Sequence, residues 1–307
     1  MKTKEVKDII SEIPLLNNCK VFHKVDKGWS KDNKFYLESG DGEKYLLRIN
    51  GIDYYDVKEK EFMIMKKISG LDLNMSEPID FGICSNGQNV FMLLSWIEGT
   101  ALDEIITTLT EEDQYDLGVK AGSILKKFHS IPAPTEQEEW EQRMLKKFNY
   151  HLEKYQLCGI KVPKDELALE HIKKNLYLLK NRPQTFQHGD FHVGNLILTT
   201  DHKLGVIDFN RWDYGDPYED FYKMMLFSRE LSIPFAKGQI NGYFGDKIPE
   251  DFFKLLSLYL ADVILYSVVW AIPFGEDDVN IMLKLAEMIF ADYDCFKTEV
   301  PRWLAIY

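Results

Sequence analysis

The sequence is poor in cysteine: Cys19, Cys84, Cys158 and Cys295 are the only four in 307 residues, and they are widely scattered. No C-x-x-C pair occurs, which argues against a zinc knuckle or a thioredoxin-type motif and favours plain reduced thiols. Long apolar runs are also lacking. The N-terminal "MKTKEVKDIISEIPLL" is charged where a signal peptide would be apolar. The most apolar stretch, "LADVILYSVVWAIPF" (260–274), reads as too short to span a bilayer and carries Asp262. These absences predict a cytoplasmic protein with no membrane partner. Basic charge is scarce as well. The net charge is −12, and residues 200–307 hold 18 Asp/Glu against 10 Lys/Arg. A nucleic-acid partner, which needs a basic surface, is disfavoured. A cationic small substrate is allowed. Repeats and low-complexity segments are missing too, and nothing sets an oligomeric state.

What is present is ordinary globular composition, 45% hydrophobic and 28% charged, over a length suited to one large domain or two lobes. Residues 3–13 read as a short amphipathic helix. "CKVFHKV" and "KFYLES" read as strands around the turn "DKGWSKDN". "GDGEKYLLRIN" adds a turn and a third strand ending near Arg48. "VKEKEFMIMKKISG" (57–70) has helical spacing and stops at Gly70. "IDFGICSNGQNVFMLLSWIEG" gives two more strands. Beyond Gly99 the periodicity becomes helical. "LTEEDQYDLGVKAGSILKKFHSI" is a helix that Thr110 can cap, with acids in its first turn. "NLILTTDHKLGVIDF" is a hairpin pattern, and "SLYLADVILYSVVWAI" reads as a buried helix. The fold class is therefore α+β: a small five-stranded antiparallel lobe with one helix (1–97), then a larger, mostly helical lobe (98–307).

The chemistry concentrates in "QHGDFHVGN" (187–195). Asp190 and Asn195 lie five residues apart, and Asp208 ends the hairpin that begins at Asn195. Phosphoryl transfer needs a carboxylate for the attacking hydroxyl, an amide oxygen and a second carboxylate for Mg²⁺, and a cation for the phosphates. The order H-x-D-x-x-x-x-N, strand, turn, strand, D-F supplies the first three. Arg48 on the third strand and Glu61 on the next helix supply the cation and its orienting acid. The turn "DKGWSKDN" has one glycine only, yet Ser30 and nearby N–H groups can reach phosphate oxygens. The competing reading makes His188 and His192 the core of a hydrolase metal cage. It lacks further histidines nearby, since His129, His151 and His171 fall on separate helical segments. His188 reads as a brace for the loop. Asp216 and Asp220 in "GDPYEDF" read as braces or caps.

"FQHGDFHVGNLIL" followed by "GVIDFNRWDYGDPYEDF" resembles the aminoglycoside phosphotransferase family of small-molecule kinases, within the protein-kinase-like superfamily. "KGWS", "YLLRI", "KEFMIMKKISG", "LLSWIEG" and "LKKFHS" fall in that family's order, so the resemblance covers nearly the whole chain. It implies a two-lobed protein-kinase-like fold, with a catalytic loop at 187–195 and a metal-binding hairpin at 195–210. It implies Asp190 as catalytic aspartate, Asn195 and Asp208 as Mg²⁺ ligands, and ATP or GTP as phosphoryl donor. "LSWIEG" is similar to the hinge, where the backbones of Ser95 and Ile97 would bond the base behind Leu94. Two departures stand out. An arginine replaces the third-strand lysine typical of protein kinases, and Asp208-Phe209-Asn210 replaces D-F-G. No activation segment or A-P-E motif follows, which argues for a small acceptor over a protein. An aminoglycoside antibiotic, with resistance as the outcome, is the first expectation. Asp213, Glu230, Glu276, Asp277 and Asp278 are the candidate acids for a cationic acceptor. Choline, a fructosamine, homoserine, methylthioribose or a macrolide are alternatives, and so is a nucleotide-binding module without catalysis. Trp270 and Phe274 read as core before they read as an aromatic cage.

Overall fold

A two-residue side-chain period runs through "KFYLES", "YLLRI" and "VFMLL", and it builds a sheet with two unlike faces. The computed structural model describes residues 3–26 and 32–304. The strands are β1 (Cys19–Val25), β2 (Asn33–Ser39), β3 (Lys44–Gly51), β4 (Pro78–Cys84) and β5 (Asn89–Ser95). They lie in the order β1-β2-β3-β5-β4, and each neighbouring pair is antiparallel. Phe35, Leu37, Leu47, Ile49, Phe91 and Leu93 point to one face. There they bury Val6, Ile9 and Ile13 from α1 (Thr3–Glu12) and the turn after it. Alternation then forces the residues between them to the other face. Lys34 stands opposite Arg48, Arg48 opposite Met92, and Leu46 opposite Leu94. On that second face lies α2 (Tyr55–Ile68), whose Phe62 stacks on Phe81 at 5.4 Å between ring centres.

This sheet, residues 1–100, forms one unit together with residues 197–210. The sequence boundary at 97/98 placed that hairpin with the helices. Its strands, Leu196–Leu198 and Leu204–Val206, are instead tied to the loop before β4. Val206 donates its N–H to the Asn74 carbonyl (2.9 Å) and accepts one from Ser76 (3.1 Å). Asp208 therefore belongs to the sheet unit.

The second unit comprises residues 101–196 and 211–307. It contains α3 (Leu102–Ile105), α4 (Glu111–Phe128), α5 (Trp140–Leu157), α6 (Asp165–Asn175), the short α7 (Arg229–Leu231), α8 (Ile233–Phe244), α9 (Glu250–Ala271) and α10 (Glu276–Asp292). Thr110 caps α4 as its sequence predicts, its hydroxyl accepting the Asp113 N–H at 3.1 Å. The α9 helix starts ten residues before the apolar stretch read from sequence. By length and composition it could cross a bilayer, which corrects the earlier reading, but 67% of its most apolar window is buried within the protein.

Glycine sets the spacing of α4 and α8. A Cβ on Gly118 or Gly122 would lie 2.2 or 2.1 Å from the carbonyl oxygen of Phe235 or Gln239. From the other side, a Cβ on Gly238 or Gly242 would lie 2.1 Å from the oxygen of Tyr115 or Val119. The two helices thus touch backbone to backbone, and any side chain there must part them. We predict that Gly122→Val lowers the unfolding free energy by about 1–3 kcal/mol, the usual range for overpacking, whereas Gly70→Ala, with open space around it, changes it little. Urea unfolding measures both, and equal effects would refute the argument.

Candidate active site

In the helical unit the strand Thr185–Gln187 delivers the chain into the loop 188–195. One carboxylate holds the turn. Asp220 accepts the N–H groups of His188 (2.8 Å) and Gly189 (2.9 Å), and His129 at the end of α4 reaches it at 3.3 Å. Gly189 is required twice over. Its φ is +76°, and a Cβ would sit 2.0 Å from the Arg211 carbonyl oxygen. His188 is fully buried against Phe128 and Phe191, and its Nδ1 accepts the Asp190 N–H at 3.2 Å. It is scaffolding. Asp216 braces a second turn through Arg182 (2.6 Å) and the Tyr259 hydroxyl (2.7 Å).

The Asp190 carboxylate stands beside two cations and an imidazole. Lys223 Nζ lies 2.7 Å from Oδ1, His192 Nε2 3.7 Å from the same oxygen, and Arg211 Nε 3.8 Å from Oδ2. Burial by itself would raise this carboxyl, but Lys223, His192 and Arg211 outweigh it and hold it well below the usual range. Burial pushes the His192 imidazole down to about 4, so it is neutral at physiological pH. Its Nδ1 accepts the Gly194 N–H at 3.1 Å, which places its proton on Nε2. Asn195 donates its amide N–H to the Asp190 carbonyl at 2.8 Å. Sequence reading passed over Lys223. It precedes a π-helical turn, Met224–Ser228, whose Ser228 hydroxyl accepts the Val193 N–H at 3.1 Å. Such turns mark functional sites, but no local sequence pattern announces one.

In the sheet unit Arg48 and Glu61 meet, Nη1 to Oε1 at 2.5 Å. They are half of a buried tetrad. Asp32 accepts from Arg48 Nε at 2.6 Å, and Lys58 bonds both Asp32 and Glu61 at 3.0 Å. Two cations and two acids balance, and Arg48 is only 2% exposed. Burial opposes its charge, yet Glu61 and Asp32 overcome this and raise its pKa. Lys34, across the strands from Arg48, lies 3.4 Å from Asp208 Oδ2. Asp208 itself adopts φ +65°, a left-handed conformation uncommon outside glycine. Its Oδ1 is buried and accepts no hydrogen bond among the described residues. An orphaned carboxylate oxygen in a strained turn suits a cation ligand.

At the end of β5, Ser95 gives its N–H to the Glu77 carbonyl (2.9 Å), while Trp96 gives its own to Lys44 (3.0 Å). The Ser95 carbonyl accepts from the Ser76 hydroxyl at 3.2 Å and keeps a second lone pair. Leu94 is buried on the Arg48 face, and Ile97 follows the strand. Ser30 lies outside the described residues.

The acids expected to meet a cationic acceptor lie on several elements. Asp213 is bound to Arg143 Nη2 at 2.6 Å. Glu230 is exposed on α7, and Glu276 and Asp277 are exposed at the start of α10, with Asp278 less so beside them. Only Asp213 lines the cavity of about 140 Å³ that also includes Gly189, Arg211 and Tyr222. Trp270 and Phe274 are not core. Phe274 is 42% exposed, the rings lie 4.8 Å apart, and the Arg211 guanidinium sits 5.7 Å from the Trp270 ring centre.

Because the tetrad is balanced, removing one acid leaves two buried cations against one. We predict that Glu61→Ala costs about 3–5 kcal/mol of unfolding free energy, the usual penalty for breaking a buried pair from one side. Chemical denaturation with unchanged m-value checks this, and a loss below about 1 kcal/mol would show the tetrad to be solvated.

Solved structures with this fold include a GDP complex of an aminoglycoside 2'-phosphotransferase-IIIa point mutant. It has a TM-score of 0.74 and 13% identity, and the match covers 96% of this chain and 99% of that one. The GDP and kanamycin complex of APH(2")-IIia matches at 0.73 and 13%, over 94% and 99%. The ADP and hygromycin B complex of an aminoglycoside phosphotransferase APH(4)-Ia mutant matches at 0.65 and 16%, over 88% and 93%. Among curated proteins none matches by sequence. Residues 21–253 match the model of the phosphotransferase enzyme family. The chain belongs to the phosphotransferase enzyme family and has its kinase-like α+β fold.

Proposed function

We propose that the chain is a nucleotide-dependent kinase that moves a γ-phosphoryl group onto a hydroxyl of a small polar molecule. The observation that carries this is Asp190, a carboxylate kept ionised and aimed by Lys223 in a loop braced by Asp220. Asp190 accepts the hydrogen bond of the acceptor hydroxyl and takes its proton as the oxygen attacks phosphorus. The bond to the β-phosphate oxygen breaks, and the nucleoside diphosphate leaves. Lys34 supplies positive charge for the phosphates, and the charge-balanced Arg48 tetrad fixes the strand beside it. The carbonyl of Ser95 and the N–H of Ile97 remain for the purine, which fits either ATP or GTP. GDP and ADP complexes of similar structures support nucleotide use. Mg²⁺, when bound, neutralises phosphate oxygens, and Asp208 and Asn195 are the residues that would hold it. A cytoplasmic setting belongs to the same proposal.

An aminoglycoside acceptor is the second reading. Similar structures hold kanamycin, gentamicin and hygromycin B, and the net charge of −12 tolerates a cation.

Two outcomes test the kinase reading. Asp190→Asn lowers nucleotide turnover by about 100- to 10,000-fold, the scale of a lost general base, while nucleotide affinity measured by calorimetry persists. Full activity would sink the assignment. Lys223→Met removes the nearest cation that depresses the Asp190 carboxyl, so that carboxyl titrates higher. The low-pH limb of the rate profile then moves to higher pH. An unmoved limb would show that Lys223 does not act on Asp190.

A further inference from the structure

We propose that the acceptor carries an anionic group, a carboxylate or a phosphate, close to its reactive hydroxyl, and that Arg211 holds it. The inference rests on the kinase reading and narrows its substrate class.

The acids around the cavity beside the loop are already engaged. Asp213 is bound to Arg143 at 2.6 Å, and Glu219 to Lys147 at 2.5 Å. Glu219 also accepts from Gln187 at 3.1 Å, and Asp220 accepts the two loop amides. A polycation entering here would have to displace protein cations or break the turn that holds Asp190. Arg211 is in the opposite condition. Its side chain is 43% exposed, and its nearest carboxylate, Asp190, lies at 3.8 Å, beyond hydrogen-bond length. Asp190 does not need it, because Lys223 occupies Oδ1 at 2.7 Å. The position of Arg211 is nevertheless fixed. Its carbonyl packs against Gly189, the residue before Asp190, and its guanidinium lies over Trp270.

A planar cation held over an aromatic face, with its fork unengaged, matches the two oxygens of a carboxylate or phosphate. An ammonium at the same place meets like charge from Arg211, which costs affinity, since Lys223 is already paired with Asp190. Of the acids that line this cavity, Asp213 and Glu219 are each paired with a protein cation and Asp220 with the loop amides, and Glu230, Glu276 and Asp277 do not line it. The acceptor therefore presents its hydroxyl to Asp190 and its anionic group to Arg211.

The test uses full-length protein with Mg²⁺ and nucleotide and a matched set of hydroxyl compounds: glucose, glucosamine, glucuronate and glucose 6-phosphate, with kanamycin beside them. Turnover is measured first. Where no compound is turned over, the rise in melting temperature at millimolar ligand is the readout. The expected result ranks glucuronate or glucose 6-phosphate above glucose, and glucose above glucosamine. The leader of the first two separates a carboxylate from a phosphate. Arg211→Ala should weaken the leading anion by about tenfold or more relative to glucose, the loss typical of a charge-assisted bond. Arg211→Lys should recover part of that loss. Preference for glucosamine or kanamycin, equal or absent responses across the set, or an anion preference that survives Arg211→Ala would overturn the proposal. Failure of the kinase reading looks different: no nucleotide turnover that Asp190→Asn removes, with the anion preference intact.

Discussion

Two consecutive backbone amides, those of His188 and Gly189, donate to one buried carboxylate, and the loop 188–195 hangs from that contact. Asp220 is 1% exposed, so neither amide can turn to water instead. Leaving them unpaired would cost on the order of 1–3 kcal/mol each. The same carboxylate reaches His129 at the end of α4, and α4 is spaced by its glycine contact with α8. Helix spacing therefore reaches the orientation of Asp190 through a short chain of direct contacts.

Charge is arranged differently in the two units. In the sheet unit two acids and two bases pair with one another in a buried set. That arrangement fixes geometry more than it adds stability, since desolvation consumes most of the attraction. In the helical unit the Asp190 carboxylate faces two cations, Lys223 and Arg211, beside the neutral His192.

Much of this was legible in the sequence because it follows local rules. Alternation put Arg48 on the face opposite Leu47 and Ile49, and helical spacing put Glu61 within its reach. The five-residue step from Asp190 to Asn195 is set by one turn of loop, so no distant contact was needed to see it. The remainder depends on long-range packing. Lys223 lies 33 residues beyond Asp190 and is brought to it by a π-helical turn that no pattern announces. Asp32 and Lys58 carry no local pattern that marks them out, and only the fold buries them together. Trp270 and Phe274 looked like core because aromatic residues in an apolar helix usually are, yet the helix ends just where they emerge. The candidate acids of the last third were chosen by sign alone, and sign alone does not bring side chains together.

The hairpin 197–210 has one more consequence. The backbone crosses between the units at 100/101, at 196/197 and again at 210/211. No single scission of the polypeptide can yield the two units as separate intact fragments. A truncated version ending after residue 100 would keep the tetrad and lose Asp208, along with the strands bonded to Asn74 and Ser76. The two halves of this protein can be evolved, expressed or exchanged only as interleaved pieces, which couples the inheritance of the residues that would hold the metal to that of the sheet.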